Sequence, residues 1–196
     1  MQTGQQTMDE KRVETIHAHL RGRNIVLIGM MGAGKSSVGR RLAAVLDLPF
    51  VDADTEIELA ANLTIAEIFS TYGEDHFRQG ERKVIARLLG GGPRVIATGG
   101  GAFMNEKTRA EIGRRAISLW LKATVPLLME RVQRKANRPL LSDADPEAMI
   151  KRLLAIREPL YATADLIVAS RDAPHTAIVD DALKALEDFL LCENGK

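Results

Sequence analysis

NIVLIGMMGAGKSSVGRRLAAVL, residues 24–46, changes character twice. It opens on a short β-branched apolar run, which suits a strand buried on both faces of a parallel sheet. It then breaks into glycines and resumes with helical periodicity. Gly29 to Ser36 meets the spacing G-x-x-x-x-G-K-[ST], with the strand before it and the helix after it. A polyphosphate is wrapped closely only where backbone N–H groups point inward and side chains do not obstruct them, which explains Gly29, Gly32 and Gly34. Lys35 supplies an ammonium for the β- and γ-phosphate oxygens, Ser36 a hydroxyl for Mg²⁺, and the following helix its positive end. Gly32, Ala33, Gly34, Lys35, Ser36 and Ser37 are therefore the expected nucleotide-binding set, with a nucleoside triphosphate and Mg²⁺ as ligands.

Working outward, apolar runs at 24–28, 49–52, 94–97, 116–121 and 165–168 read as strands, and helical patterns at 35–46, 75–89 and 177–191 lie between them. That alternation predicts an α/β fold, a parallel sheet covered by helices on both faces. Thr64 to Glu67 has the spacing of a capping box, and Asp145-Pro146 reads as an N-cap followed by proline at the first helical position. The region after Asp54 and the polar, basic stretch 133–145 do not follow the core pattern. The latter is expected to be a mobile lid. With 196 residues one domain is expected, residues 23–196, preceded by a partly helical extension at 1–22.

Lys and Arg total 27 against 26 for Asp and Glu. This balance offers no field for nucleic acid or an anionic membrane, so small-molecule partners and a monomer are expected. The lone Cys192 has no internal disulfide partner, and the N-terminal residues carry acids and no apolar h-region. Both favour a cytoplasmic protein.

Three further stretches carry chemistry. VDADTE puts Asp52 and Asp54 just past the second strand, where Asp52 suits Mg²⁺ and Asp54 suits an acceptor hydroxyl as hydrogen-bond partner and base. The same pair also reads as a helix cap at Asp54 beside a solvated Asp52, and the spacing leaves both open. The Gly99-Gly100-Gly101 triplet is either a backbone laid open to a ligand or a flexible turn. Arg78, Arg138 and Arg157 could complete a site or be solvated helix charges, and their distance in sequence does not decide. A small-metabolite kinase, a nucleotide kinase or a non-catalytic nucleotide switch would each account for the P-loop.

The ordered set GxxGxGKSxxG, DAD, FRxxE, GGG, RPLL and RxPLY, from about residue 23 to 191, resembles the shikimate kinases. The resemblance implies a three-layer P-loop kinase fold with a five-stranded parallel sheet in the order 2-3-1-4-5 and a lid. It implies phosphoryl transfer from ATP to the 3-hydroxyl of shikimate in aromatic amino-acid biosynthesis. Carried over position by position, Asp54, Arg78, Gly100, Gly101 and Arg157 are the implied shikimate contacts, with a substrate-binding region at about 54–80 and the lid at about 133–145. Lys35, Asp54 and Arg138 are the implied catalytic residues, with Arg138 on the lid. Ser36 and Asp52 are the implied metal ligands. Arg131 and Arg138 join the nucleotide-binding set. Arg131, with Arg134 beside it, resembles the arginine that lies against adenine, and ASRDAP at 169–174 would flank the base. Gly80 departs from the pattern, standing in FRQGE where the family more often has a larger residue. In a helix interior it costs up to about 1 kcal/mol.

Overall fold

β1 (Asn24–Ile28) is buried at every position, as a strand covered on both faces must be. The computed structural model describes residues 2–133 and 145–194. Around β1 lie β2 (Phe50–Asp52), β3 (Val95–Ala97), β4 (Ala116–Ala123) and β5 (Leu166–Ser170) in the order β2-β3-β1-β4-β5. Every neighbouring pair is parallel. The expected order is the one found. β1 has β3 on one side and β4 on the other, so chain direction across the sheet reverses there, and the crevice beyond its carboxyl end is where an open α/β sheet binds ligands.

The helices are α1 (Gln2–Leu20), α2 (Lys35–Val45), α3 (Ala53–Ala61), α4 (Ile65–Leu89), α5 (Glu106–Arg115), α6 (Val125–Gln133), α7 (Pro146–Tyr161) and α8 (His175–Asn194), with a 3₁₀ turn at Ala102–Met104. α8 packs on α2 and β5, while α5 packs on α4 and β4. Among the described residues, no helix is long and apolar enough to cross a membrane.

Two strands run beyond their sequence-read ends. β4 and β5 continue together because Lys122 pairs in register with Ala169 and Ala123 with Ser170. The region after Asp54, which lacked a clear core pattern, forms α3 and the first part of α4. The Thr64 capping box is present: Thr64 Oγ1 accepts from Glu67 N at 3.2 Å, and Glu67 Oε2 accepts from Thr64 N at 2.7 Å. α4 thus begins ten residues before the expected helix at 75 and is interrupted at Gly73, whose φ of 80° and ψ of 174° an L side chain adopts only under strain. Asp145 caps α7 as expected, accepting from Ala148 N at 2.9 Å, with Pro146 opening the helix.

α1 is not a free tail. Its Ile16 and Leu20 are buried, it packs on α8, and Arg12 pairs with Glu187 at 3.0 Å. Removing apolar side chains from water accounts for that docking better than the partly exposed ion pair does. Residues 134–144 of the expected lid, with Arg134 and Arg138, lie outside the described residues.

Candidate active site

The P-loop leaves β1 at Gly29, whose φ is 136°. A Cβ there would stand 2.7 Å from the Leu121 carbonyl oxygen, so glycine is required by backbone and space together. The loop closes around its own lysine: Lys35 Nζ donates to the carbonyls of Gly29 and Met30, each at 2.9 Å. Gly34 is the N-cap of α2, so the first N–H groups of that helix open onto the loop. Ser36 Oγ donates to Asp52 Oδ2 at 2.6 Å, while Asp52 Oδ1 accepts from Asp54 N at 3.1 Å. Asp52 is therefore both the N-cap of α3 and the link from β2 to the P-loop. The alternative in which Asp54 caps and Asp52 is solvated does not hold, because Asp52 occupies the cap and Asp54 stands inside the first turn.

One hydroxyl and one carboxylate in contact suit Mg²⁺, which keeps most of its shell as water and phosphate oxygens. Among the described residues there is no cluster of three or more His, Cys, Asp or Glu that would hold a metal unaided. The donor set fits an ion that arrives with its nucleotide.

The glycine triplet after β3 is a floor on which charged groups from three elements rest. A Cβ on Gly99 would lie 2.8 Å from Glu81 Oε1 and 2.9 Å from Asp54 Oδ1. On Gly100 it would lie 3.3 Å from Arg157 Nη1, and on Gly101 2.6 Å from both Arg78 Nη1 and Nη2. The four charges are Asp54 from α3, Arg78 and Glu81 from α4, and Arg157 from α7. Arg78 and Arg157, which sequence distance could not bring together, meet over adjacent glycines.

Arg78 is held by two carboxylates of its own helix, Glu81 Oε2 at 2.7 Å and Glu74 Oε1 at 3.2 Å. Burial alone would lower its pKa, but the charge and hydrogen bonds of Glu81 and Glu74 reverse that and raise it. Glu81 is only 3% exposed, and burial pushes its carboxyl up from the usual 4.5 against the pull of Arg78; the nearby Asp54 charge adds to the rise. Among the described residues its Oε1 has no hydrogen-bond partner. Glu81, the acid of the FRxxE motif, is not among the site residues expected from sequence. An acid three residues after a candidate substrate arginine on one helix was the signal available.

On the nucleotide side, Arg131 of α6 is fastened beside the P-loop. Its Nη1 donates to Ser170 Oγ at 2.8 Å and its Nη2 to the Arg171 carbonyl at 3.0 Å. Ser170 Oγ in turn donates to the Ala33 carbonyl at 2.8 Å. The end of β5, the start of α6's last turn and the P-loop are thereby tied together, and a Cβ on Gly34 would meet Arg131 Nη1 at 3.5 Å. Ser170, a buried polar residue at the carboxyl edge of the sheet, lies in the ASRDAP segment expected to flank the base.

A family model described as shikimate kinase matches residues 31–187. A shikimate kinase of Bradyrhizobium diazoefficiens is 61% identical over 176 residues, 90% of this chain and 85% of that protein. Among solved structures, a shikimate kinase from Acinetobacter baumannii in complex with shikimate is similar, with a TM-score of 0.82 and 37% identity over 91% of this chain and 98% of that one. A gluconokinase from Sinorhizobium meliloti shares the fold at lower similarity, with a TM-score of 0.59 and 22% identity over 88% of this chain and 95% of that one.

Proposed function

The chain belongs to the shikimate kinase family, and from that premise we propose which of its residues carry each step. The enzyme transfers the γ-phosphoryl group of ATP to the 3-hydroxyl of shikimate, giving shikimate 3-phosphate and ADP in aromatic amino-acid biosynthesis. The observation that carries the assignment of residues is the meeting of Arg78 and Arg157 over Gly100 and Gly101, with Asp54 alongside at Gly99.

Two guanidiniums facing one glycine floor suit a planar carboxylate, which each can grip with paired N–H groups where lysine offers only a point charge. The shikimate carboxylate is held there and does not react. Asp54 accepts a hydrogen bond from the acceptor hydroxyl and takes its proton as the oxygen attacks the γ-phosphorus and the bond to the leaving ADP oxygen breaks. Lys35, now on the Gly29 and Met30 carbonyls, turns to the β- and γ-phosphate oxygens when nucleotide enters. Ser36 and Asp52, already in contact at 2.6 Å, would hold Mg²⁺, which would supply positive charge against that of the triphosphate. Gly32, Ala33, Gly34, Lys35, Ser36 and Ser37 bind the phosphates, and Arg131 lies beside the base. Arg138 completes the transfer from the lid at 133–145.

Residues 23–196 act as one catalytic domain, with 1–22 as an extension that packs on α8. The reading includes a cytoplasmic monomer without nucleic-acid or membrane partners, supported by the near balance of charge and the lone cysteine. A coupled ADP-release assay tests the activity: ADP should form only when shikimate is present. ATP binding without shikimate-dependent turnover would speak for a nucleotide switch.

A further inference from the structure

Tyr161 takes no part in the chemistry above, yet it is fully buried and its hydroxyl donates to the Gly100 carbonyl. It follows Arg157 by one turn of α7, so the two side chains share a helix face. Both reach Gly100. Trp120 of β4 lies against the phenol ring, with centroids 5.8 Å apart and planes inclined by 34°, which holds the ring in place.

The consequence falls on the next peptide. In a trans peptide the carbonyl and the N–H point in opposite directions. Holding the Gly100 oxygen on Tyr161 therefore turns the Gly101 N–H away from α7, at the residue over which both Arg78 Nη atoms lie. Among the described residues, that N–H donates to no group. Burial pushes the Tyr161 phenol up to about 12, against the opposing influence of Arg157, so the hydroxyl remains a donor throughout the neutral range.

We propose that Tyr161 is a positioning residue: by holding the Gly100 carbonyl, it aims the Gly101 N–H at the acceptor carboxylate gripped by Arg78 and Arg157. The inference rests on the carboxylate site proposed above.

Tyr161→Phe keeps the ring and its contact with Trp120 and removes only the donor. The shikimate KM should rise about tenfold, with kcat and the KM for ATP within twofold of the parent, the pattern of a lost ground-state contact on one substrate. With the carboxamide of shikimate as acceptor, which lacks the carboxylate charge, the variant and parent should differ by less than about twofold. A lower Tm with unchanged shikimate KM would show a merely structural hydroxyl and overturn the proposal, as would equal losses for both substrates. A second measurement leaves the chain unsubstituted: the protein has two tyrosines, Tyr72 exposed and Tyr161 buried. In 3-fluorotyrosine-labelled enzyme, shikimate should shift the ¹⁹F resonance of Tyr161; an unmoved resonance counts against the idea. Arg78→Lys and Arg157→Lys separate the two levels. If they raise the shikimate KM and Tyr161→Phe does not, the positioning role alone fails; if none of the three does, the carboxylate site itself is misplaced.

Discussion

Gly101→Ala adds one methyl group at the point where the acceptor site is tightest. The backbone of Gly101, with φ −96° and ψ −12°, is in the right-handed region, so alanine brings no conformational strain. What it brings is a collision. The new Cβ would sit 2.6 Å from Nη1 and Nη2 of Arg78, whereas ordinary contact begins at 3.4 Å. The guanidinium must retreat by about 0.8 Å, a displacement of the size that costs catalysis up to about 10²-fold when it befalls a positioning group. It cannot retreat freely, because Glu81 holds it at 2.7 Å and Glu74 at 3.2 Å. Arg78 is a flexible side chain, so the fold should survive. We expect the shikimate KM to rise roughly 10- to 100-fold, with the ATP KM within about twofold, since the affected contact is on the acceptor alone. Steady-state ADP release, with each substrate varied at saturating levels of the other, measures both, and a thermal melt checks folding. A folded variant with the parent's shikimate KM would show that Arg78 does not touch the acceptor.

Gly80, in contrast, faces open space, with nothing within 4 Å of a built Cβ. Gly80→Ala should stabilise the protein by about 0.5–1 kcal/mol through helix propensity, read as an increased denaturant midpoint, and leave both KM values alone. Glu81→Gln tests the buried carboxyl. Because its folded pKa stands above the ordinary 4.5, the folded state binds more protons than the unfolded one, and Glu81 subtracts stability as pH rises from 4.5 through the raised value. The Tm of the variant relative to the parent should accordingly climb with pH across that window and stay level below it; a difference that narrows with rising pH refutes the assignment. Lys35→Ala should lower kcat by about 10²–10³ while the protein stays folded, the loss typical of removing one preorganised donor. Near-normal turnover would take Lys35 out of the mechanism.

The P-loop was legible because its parts are neighbours in the chain: a strand, a turn and a helix start all lie within residues 24–46. The capping box at Thr64 and the cap at Asp145 were legible for the same reason. The DAD segment was half legible. Its spacing gave two carboxylates at the sheet's edge, but which one capped α3 depended on where the helix began, and Asp52 took the cap. Strand ends shifted where a neighbour decided them: β4 and β5 extend each other by pairing. α4 starts at the Thr64 cap that the sequence shows and is interrupted at Gly73.

From sequence alone came the nucleotide loop, the alternation of strand and helix, the strand order through family resemblance, and the residue types from which an acceptor site could be built. The tertiary structure decided which of those residues meet. Arg78, Gly101 and Arg157 belong to α4, the turn after β3 and α7, and their convergence follows from placing β3 beside β1 and folding α7 back over the sheet's carboxyl edge. The buried environment of Glu81, the bond from Tyr161 to Gly100 and the tie from Ser170 to Ala33 arise in the same way. Each depends on contacts between segments far apart in the chain, and local periodicity and spacing carry information only about residues a few positions apart.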